Sequence, residues 1–460
     1  MLDNSTICAI STPLGHGGIG IVRLSGPDAV AIAERLVLPT NGLPLSRQEP
    51  RRLVHGRVME DGATVDEVLV SVMRAPHSYT TEDVVEVNCH GGAVAVRQTL
   101  ELMLKSGARL AEPGEFTKRA FLGGRIDLAQ AEAVADLIGA RTSAGLRAAA
   151  NQLQGRLSER ITMLRDKLLD CLAHVEVSID FPEDEARPAS GAGVRQIVES
   201  IMHEIDALLE NARGGRLYRD GISTVIAGKA NVGKSSLLNA LLSEPRAIVT
   251  EEPGTTRDVI IESIDLHGIA LRLCDTAGIR EPGCEVERLG VERSQRAVAE
   301  ADLVLFVIDS SKPLTDEDAK IVERLKTKPH VILAANKADL RPDADLSDLS
   351  GALPDRRIVR TSATEGTGIR ELQEAIFEEI TEGAAFAPEE ILVSRLRHQQ
   401  ALQEARAALS NGSQALENGL SLEFVAADLR EALDHLGEIV GAVVTEDLLD
   451  RIFSEFCIGK

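Results

Sequence analysis

The stretch Thr224–Asn239, TVIAGKANVGKSSLLN, decides how this chain is read. It begins with a short apolar run, Val225, Ile226 and Ala227, and leads into Leu237, Leu238, Leu241 and Leu242 at helical spacing. Between them Gly228–Ser235 spells G-x-x-x-x-G-K-S, so the order is strand, glycine-rich turn, helix. Backbone N–H groups of such a turn converge on a phosphate chain, and the helix N-terminus adds the positive end of its dipole. Asn231, Val232, Gly233 and Ser236 belong to this cradle, Lys234 reaches the outer phosphates, and Ser235 offers a hydroxyl to Mg²⁺. Chance produces the spacing in roughly a few of every hundred chains of this size, and the strand-to-helix context makes it rarer.

Two later stretches fit the same site. Asp275-Thr276-Ala277-Gly278 follows an apolar strand, where an Asp can hold Mg²⁺ through water and a Gly N–H can meet a γ-phosphate. Asn336-Lys337-Ala338-Asp339 follows another strand, and the Asp339 carboxylate can accept two hydrogen bonds from guanine, a pair that adenine does not offer. Ser362 and Ala363 sit in a later loop suited to a backbone donor for the guanine oxygen. The nucleotide expected is GTP, bound and hydrolysed. Ile279 stands where Ras-like enzymes carry a water-orienting Gln, so another polar group must take that role. Glu281, Glu285, Glu287 and Glu292 are the candidates, and the alternative for them is a solvated helix face. No Arg is placed by sequence as an internal finger; an added cation with Asn231 as oxygen ligand would substitute for one.

At 460 residues the chain is long enough for about three domains. Its formal charge of −22 excludes broad wrapping of nucleic acid and adhesion to anionic membranes, leaving only a local basic patch for a nucleic-acid partner. With no Trp and two Tyr, base stacking on an aromatic platform is not a general mode here. The six cysteines are scattered, without metal-ligand spacing, which fits a reducing compartment. No leader pattern or apolar run of spanning length occurs, so the expectation is a cytoplasmic protein with no membrane partner.

Toward the N-terminus, strands are expected at Thr6–Ile10, Gly20–Leu24, Glu67–Met73 and Val84–Asn88, with helices at Asp28–Leu38 and Ala93–Lys105. The GHGGIG turn at Gly15–Gly20 leads into a strand and reads as a tight turn; Cys89-His90-Gly91-Gly92 opens a helix. His90 is either structural or functional. Helical periodicity follows over Asp127–Thr142, Leu157–Val175 and Val194–Leu209, with a Pro-rich acidic break at Phe181–Ala189. After the α/β block, with strands near Val259–Leu266, Ile269–Leu273, Leu303–Ile308 and Val331–Ala335, helices return at Leu422–Val440 and Leu448–Phe456. The spare apolar helix faces permit either dimerisation or internal packing.

The chain resembles the MnmE (TrmE) family of bacterial tRNA uridine-modification GTPases over essentially its whole length. The resemblance rests on STPLGHGGIGIVRLSG, SYTTEDVVEVNCHGG, PGEFTKRAFLGGRIDLAQAEAVADLI, the phosphate loop, VTEEPGTTRDVI, DTAGIR and FCIGK. It implies a multidomain α/β and α+β fold: an N-terminal tetrahydrofolate-binding, dimerising α+β domain over 1–122, a helical domain over 123–218 and 383–460, and a Ras-like G domain with a doubly wound sheet inserted over 219–382. It implies a homodimer that forms a heterotetramer with MnmG (GidA) and acts on carbon 5 of the wobble uridine of certain tRNAs. The one-carbon donor would be 5,10-methylenetetrahydrofolate or a related tetrahydrofolate. Transferred by motif, Asn231, Thr250, Glu252 (through its backbone) and Thr255 surround K⁺, while Ser235 and Thr256 bind Mg²⁺. Glu251, Pro253 and Gly254 complete the GTP-binding stretch, and Glu287 orients the attacking water. Folate contacts fall on Arg23, Glu86, Arg125 and Lys460, with Cys457 either a nucleophile or a structural thiol. Arg125 and His16 depart from residues common in relatives, Lys and Arg respectively. The rival readings are a ribosome-assembly or regulatory GTPase, and a GTP-switched scaffold with no part in covalent chemistry.

Overall fold

The computed structural model describes residues 4–180, 191–243, 261–274, 297–383 and 393–460. The Pro-rich break at Phe181–Ala189 lies outside them. The fold divides into two compact units, Met1–Ala135 with Leu153–Ser190 and Gln414–Lys460, and Asp136–Gln152 with Gly191–Ser413.

The first unit is built on a seven-stranded sheet of β1 (Ile7–Ile10), β2 (Ile19–Ser25), β3 (Val37–Pro39), β4 (Val54–Glu60), β5 (Ala63–Met73), β6 (Val84–His90) and β7 (Arg109–Leu110). Their order is β3-β4-β5-β6-β2-β1-β7, antiparallel except for β1 beside β7. The four strands expected from sequence are present, and the second expected helix spans Ala93–Lys105. The first is shorter than expected. It ends at Leu36, and Val37–Pro39 turns to pair with β4, because a residue preceding proline is driven out of the helical region and Pro39 cannot continue a helix.

Period-2 alternation gives this sheet two faces. Val22, Leu24, Val85 and Val87 bury against the helices Ala29–Leu36 and Ala93–Lys105, each side chain gaining about 1.5–3 kcal/mol from leaving water. The intervening Arg23 and Glu86 are cross-strand partners and emerge on the other face. There Ile7 and Ala9 pack against Phe116 of the helix Glu115–Leu122, beside Tyr79. Elsewhere in the unit, Arg156–Asp180 packs along Leu422–Val440, with Leu164, Leu168, Leu429 and Leu436 fully buried. Phe453 and Phe456 close over Ala120, Ile126 and Leu128. Helix Leu128–Gly139 starts as its sequence suggests. The Asp127 carboxylate accepts from Gln130 N at 2.8 Å, and the Gln130 side-chain oxygen accepts from Asp127 N at 3.0 Å, a reciprocal cap.

The second unit carries a six-stranded sheet of β8 (Ile222–Ala227), β9 (Ile261–Leu266), β10 (Ile269–Cys274), β11 (Leu303–Asp309), β12 (Val331–Asn336) and β13 (Ile358–Arg360). The order is β13-β12-β11-β8-β10-β9, parallel except for β9 at the edge. Residues 259–260 of the expected strand before Leu266 lie outside the described residues. Val304, Phe306, Leu333 and Ala335 enter one core, and Leu305, Val307, Ile332 and Ala334 the opposite one. Both faces are therefore covered, which is why these strands are near-continuous apolar runs. In a doubly wound sheet ligands bind at the carboxyl ends of the strands where the order reverses, and β8, between β10 and β11, is that point.

Helices also flank this sheet. Ala144, Leu217 and Tyr218 share a core with Ile269 and Leu271. The Asp136 carboxylate accepts from Arg219 Nε at 2.8 Å and from Arg395 at 2.7 and 3.1 Å, so the chain segments leading into and out of the sheet rest on one buried acid. Among the described residues no helix is long and apolar enough to cross a membrane.

Candidate functional site

The phosphate loop leaves β8 at Gly228 and enters the helix Lys234–Leu242 through Gly233. Both glycines are required. Gly228 has φ +148° and an added Cβ would lie 2.3 Å from Val307 O; Gly233 has φ +97° and its Cβ would lie 2.3 Å from the Asn336 amide nitrogen. Asn231 also takes positive φ (65°), a conformation that Asn tolerates better than most residues.

A loop of this kind binds anions when its N–H groups face inward and its carbonyls are engaged elsewhere. The Asn336 amide donates to Val232 O at 2.9 Å, and Lys337 Nζ donates to Asn231 O at 2.9 Å. Lys234 Nζ turns back onto Gly228 O (2.9 Å) and Lys229 O (2.7 Å), poised over the cradle it would serve. Val232 is buried, whereas Asn231, Ser235 and Ser236 are exposed to an incoming ligand.

The base-side elements join the same network. Asn336 Oδ1 accepts from Ala363 N at 3.1 Å, bringing the loop after β13 to the end of β12. Ser362 N donates to Thr367 O at 2.9 Å, which closes that loop, and Asp339 stands exposed two residues beyond Lys337. Lys337 Nζ also pairs with Asp309 at 2.8 Å. Burial alone would raise the Asp309 carboxyl, but hydrogen bonds from Lys337 and Ser311 outweigh it and hold the group below its ordinary range. Sequence reading passed over Asp309, although an Asp ending an apolar strand is the same signal that marked Asn336. Thr250, Glu251, Glu252, Pro253, Gly254, Thr255, Thr256, Asp275, Thr276, Ala277, Gly278 and Glu287 lie outside the described residues.

A second cluster lies on the outer face of the first unit's sheet. Arg23 Nε donates to Glu86 Oε1 at 2.8 Å, and its guanidinium carbon sits 5.7 Å from the Tyr79 ring centroid and 5.6 Å from that of Phe116. Arg125 lies 4.8 Å from the Tyr79 centroid and donates to Tyr79 O at 3.1 Å. Tyr79 is held in turn by its hydroxyl on Thr117 Oγ1 at 3.0 Å. Gly459 O accepts from Ser11 Oγ (3.1 Å) and from Arg23 (3.5 Å), so Phe456–Lys460 docks beside the pair. Cys457 is exposed, and its carbonyl accepts from Gly114 N at 3.4 Å and Lys460 N at 3.3 Å. Arg23, Glu86, Arg125 and the segment ending in Lys460 are thus neighbours, joined by Tyr79 and Phe116, which sequence reading did not single out.

The loop carrying Tyr79 is anchored from below. Arg119, 1% exposed, pairs with Glu82 at 3.0 Å and Glu115 at 2.9 Å, and Glu82 accepts from Ser25 Oγ at 2.6 Å. Burial raises the Glu115 carboxyl, and the Arg109 and Arg119 guanidiniums with the Glu112 amide overcome that to leave it lowered. His90 lies apart from this network and is exposed. Its ring Nδ1 meets Asp66 at 2.6 Å and its backbone N–H donates to the same carboxylate at 2.8 Å, so Asp66 ties down the turn before Ala93 and raises the imidazole from 6.5. His16 is exposed in the neighbouring loop.

Comparison with known proteins agrees along the whole chain. The family described as GTP-binding protein TrmE N-terminus matches residues 6–125, and the MnmE helical domain matches residues 128–457. The tRNA modification GTPase MnmE of Alkaliphilus metalliredigens is 48% identical over 462 residues, covering 100% of both chains. That of Bacillus velezensis is 48% identical over 458 residues, covering 99% of this chain and 100% of its own. Among solved structures, a variant of Aquifex aeolicus Era bound to GDP and aluminium fluoride is 30% identical over 40% of this chain and 65% of its own, with a TM-score of 0.28. The chain, with its phosphate loop at the switch point of a doubly wound sheet and its TrmE-type N-terminal domain, belongs to the MnmE family of tRNA modification GTPases.

Proposed function

We propose that this GTPase works as a cytoplasmic homodimer which, in a heterotetramer with MnmG (GidA), adds an aminomethyl or carboxymethylaminomethyl group to carbon 5 of the wobble uridine of certain tRNAs, taking the one-carbon unit from 5,10-methylenetetrahydrofolate or a close relative. The observation that carries the reading is the convergence of Arg23, Arg125, Glu86 and the Gly459–Lys460 segment around Tyr79. Two guanidiniums and a lysine suit a ligand with carboxylates, and a carboxylate suits the amino and ring N–H edge of a pterin. The donor set therefore fits a tetrahydrofolate, which would supply the one-carbon unit when bound. In this reading the tetrahydrofolate domain spans 1–122, the G domain 219–382, and the helical domain the segments 123–218 and 383–460.

At the nucleotide site, Lys234 and the loop N–H groups hold the phosphates, Asp339 reads guanine, and the loop of Ser362 and Ala363 offers a backbone donor to its oxygen. Ser235 and Thr256 are the Mg²⁺ ligands in this reading, and Asn231, Thr250, Thr255 and the Glu252 backbone those of K⁺. The exposed Ser235 and Asn231 at the loop mouth suit oxygen ligation of hard cations. These ions would supply positive charge where the phosphates gain negative charge, with K⁺ in the place of an arginine finger. Glu287 would orient the attacking water, and pairing of two G domains would complete the site.

The test is reconstitution with MnmG, FAD, NADH, methylenetetrahydrofolate, GTP and unmodified tRNA, followed by nucleoside analysis. Modified uridine that depends on this protein, on folate and on GTP is expected. Modification without the protein, or without a folate, would overturn the reading.

A further inference from the structure

The phosphate loop carries a second lysine that the G-x-x-x-x-G-K-S pattern leaves unassigned. Lys229 follows Gly228, yet its side chain does not enter the cradle. Its Nζ lies 2.5 Å from Asp318 Oδ2 and 2.9 Å from Thr315 Oγ1. Asp318 is 2% exposed and sits in the first turn of the helix Asp316–Leu325. The same Oδ2 accepts from Thr315 N and Thr315 Oγ1, both at 2.9 Å, and Oδ1 is buried with no hydrogen-bond partner. A buried carboxylate so placed relies on the Lys229 ammonium for its countercharge.

In this conformation Lys234 tethers the first half of the loop by holding Gly228 O and Lys229 O. Its ammonium has three N–H donors, so it can keep these carbonyls while it reaches an outer phosphate. Asn336 and Lys337 still hold the second half, through Val232 O and Asn231 O. The first half is held from within by Lys234 and from outside by the pair of Lys229 and Asp318.

We propose that Asp318 is a positioning residue for GTP binding: paired with Lys229, it fixes the first bend of the phosphate loop from outside the cradle. The pair keeps the Gly228–Lys229 backbone from relaxing, so the inward N–H groups retain their aim. It adds no contact to the nucleotide itself, and its effect falls on residence time and KM.

The experiment uses the full chain and three variants, Asp318→Asn, Lys229→Met and the double variant. Two measurements are made: dissociation of a fluorescent GTP analogue, and Tm without nucleotide. Asn at 318 preserves the helix cap while removing the charge. Each single variant is expected to dissociate the analogue about tenfold faster and to raise KM for GTP, with kcat at saturation within about twofold of the parent. Lys229→Met also lowers Tm, because it strands the buried carboxylate. In the double variant Tm returns toward that of the parent while dissociation stays fast. If the double variant recovers slow dissociation together with Tm, the pair is merely structural and the proposal fails. If Asp318→Asn leaves dissociation unchanged or slows it, Lys229 acts on the phosphates directly and the proposal also fails.

Discussion

Replacing Gly459 with Ala tests the docking of Phe456–Lys460 against the N-terminal sheet. Gly459 has φ +96°, and a Cβ there would lie 2.1 Å from Ile10 O, inside any permitted contact with a backbone atom that cannot swing away. Entering the left-handed region costs a residue with a side chain about 1–2 kcal/mol. Expelling the segment also forfeits the hydrogen bonds that Ser11 and Arg23 donate to Gly459 O, each about 0.5–1.5 kcal/mol, with the 3.5 Å Arg23 contact at the bottom of that range. The sum, about 2–4 kcal/mol, shifts the docked population roughly 30- to 700-fold at tenfold per 1.4 kcal/mol. Hydrogen exchange at the Gly114 amide, which donates to Cys457 O, reads the docking directly. Equilibrium dialysis of a tetrahydrofolate reads its consequence, and GTP turnover is the control. Gly114 exchange should accelerate and folate affinity fall at least tenfold, with GTP turnover preserved. Unchanged Gly114 exchange, with folate affinity within twofold of the parent, would refute the argument.

Asp339→Asn should erase the preference for GTP over ATP, since the amide offers guanine one acceptor in place of a carboxylate pair; competition binding measures this. Glu287→Ala should slow hydrolysis by about 10²-fold or more while GTP affinity stays within a few-fold, and the parent should hydrolyse GTP faster in K⁺ than in Na⁺. His90 should titrate by NMR with a midpoint above 6.5 that returns toward 6.5 in Asp66→Asn. Because the folded-state value is raised, the stabilisation from this pair is full below the unfolded value of about 6.5 and disappears as pH rises through the folded one.

The phosphate loop, the turn after the strand ending at Asn336 and the alternating strands were legible because each is local: a spacing within one segment dictates the turn or the face. Arg23 and Glu86 could be named only through the resemblance, since they are 63 residues apart and become neighbours only when β2 and β6 adopt their register. Tyr79, Arg119 and Glu82 were passed over for the same reason. Their partners come from separate segments, and nothing in a run of seven or eight residues marks a buried Arg as satisfied. The end of the first helix was misjudged where a rule was available, the restriction on Leu38 before Pro39. Lys229 and Asp318 were invisible because Asp318 reads as one more acid in an exposed helical turn until the fold buries it.

The two arginines on Asp136 bear on how the α/β sheet is wired. The chain departs for the α/β sheet just after Arg219 and is back at Arg395, and a single carboxylate spans both. The chain therefore enters and leaves the sheet at almost the same point. Two guanidiniums on one carboxylate thus tie off a long loop of chain at its neck and offset part of the entropy of closing it.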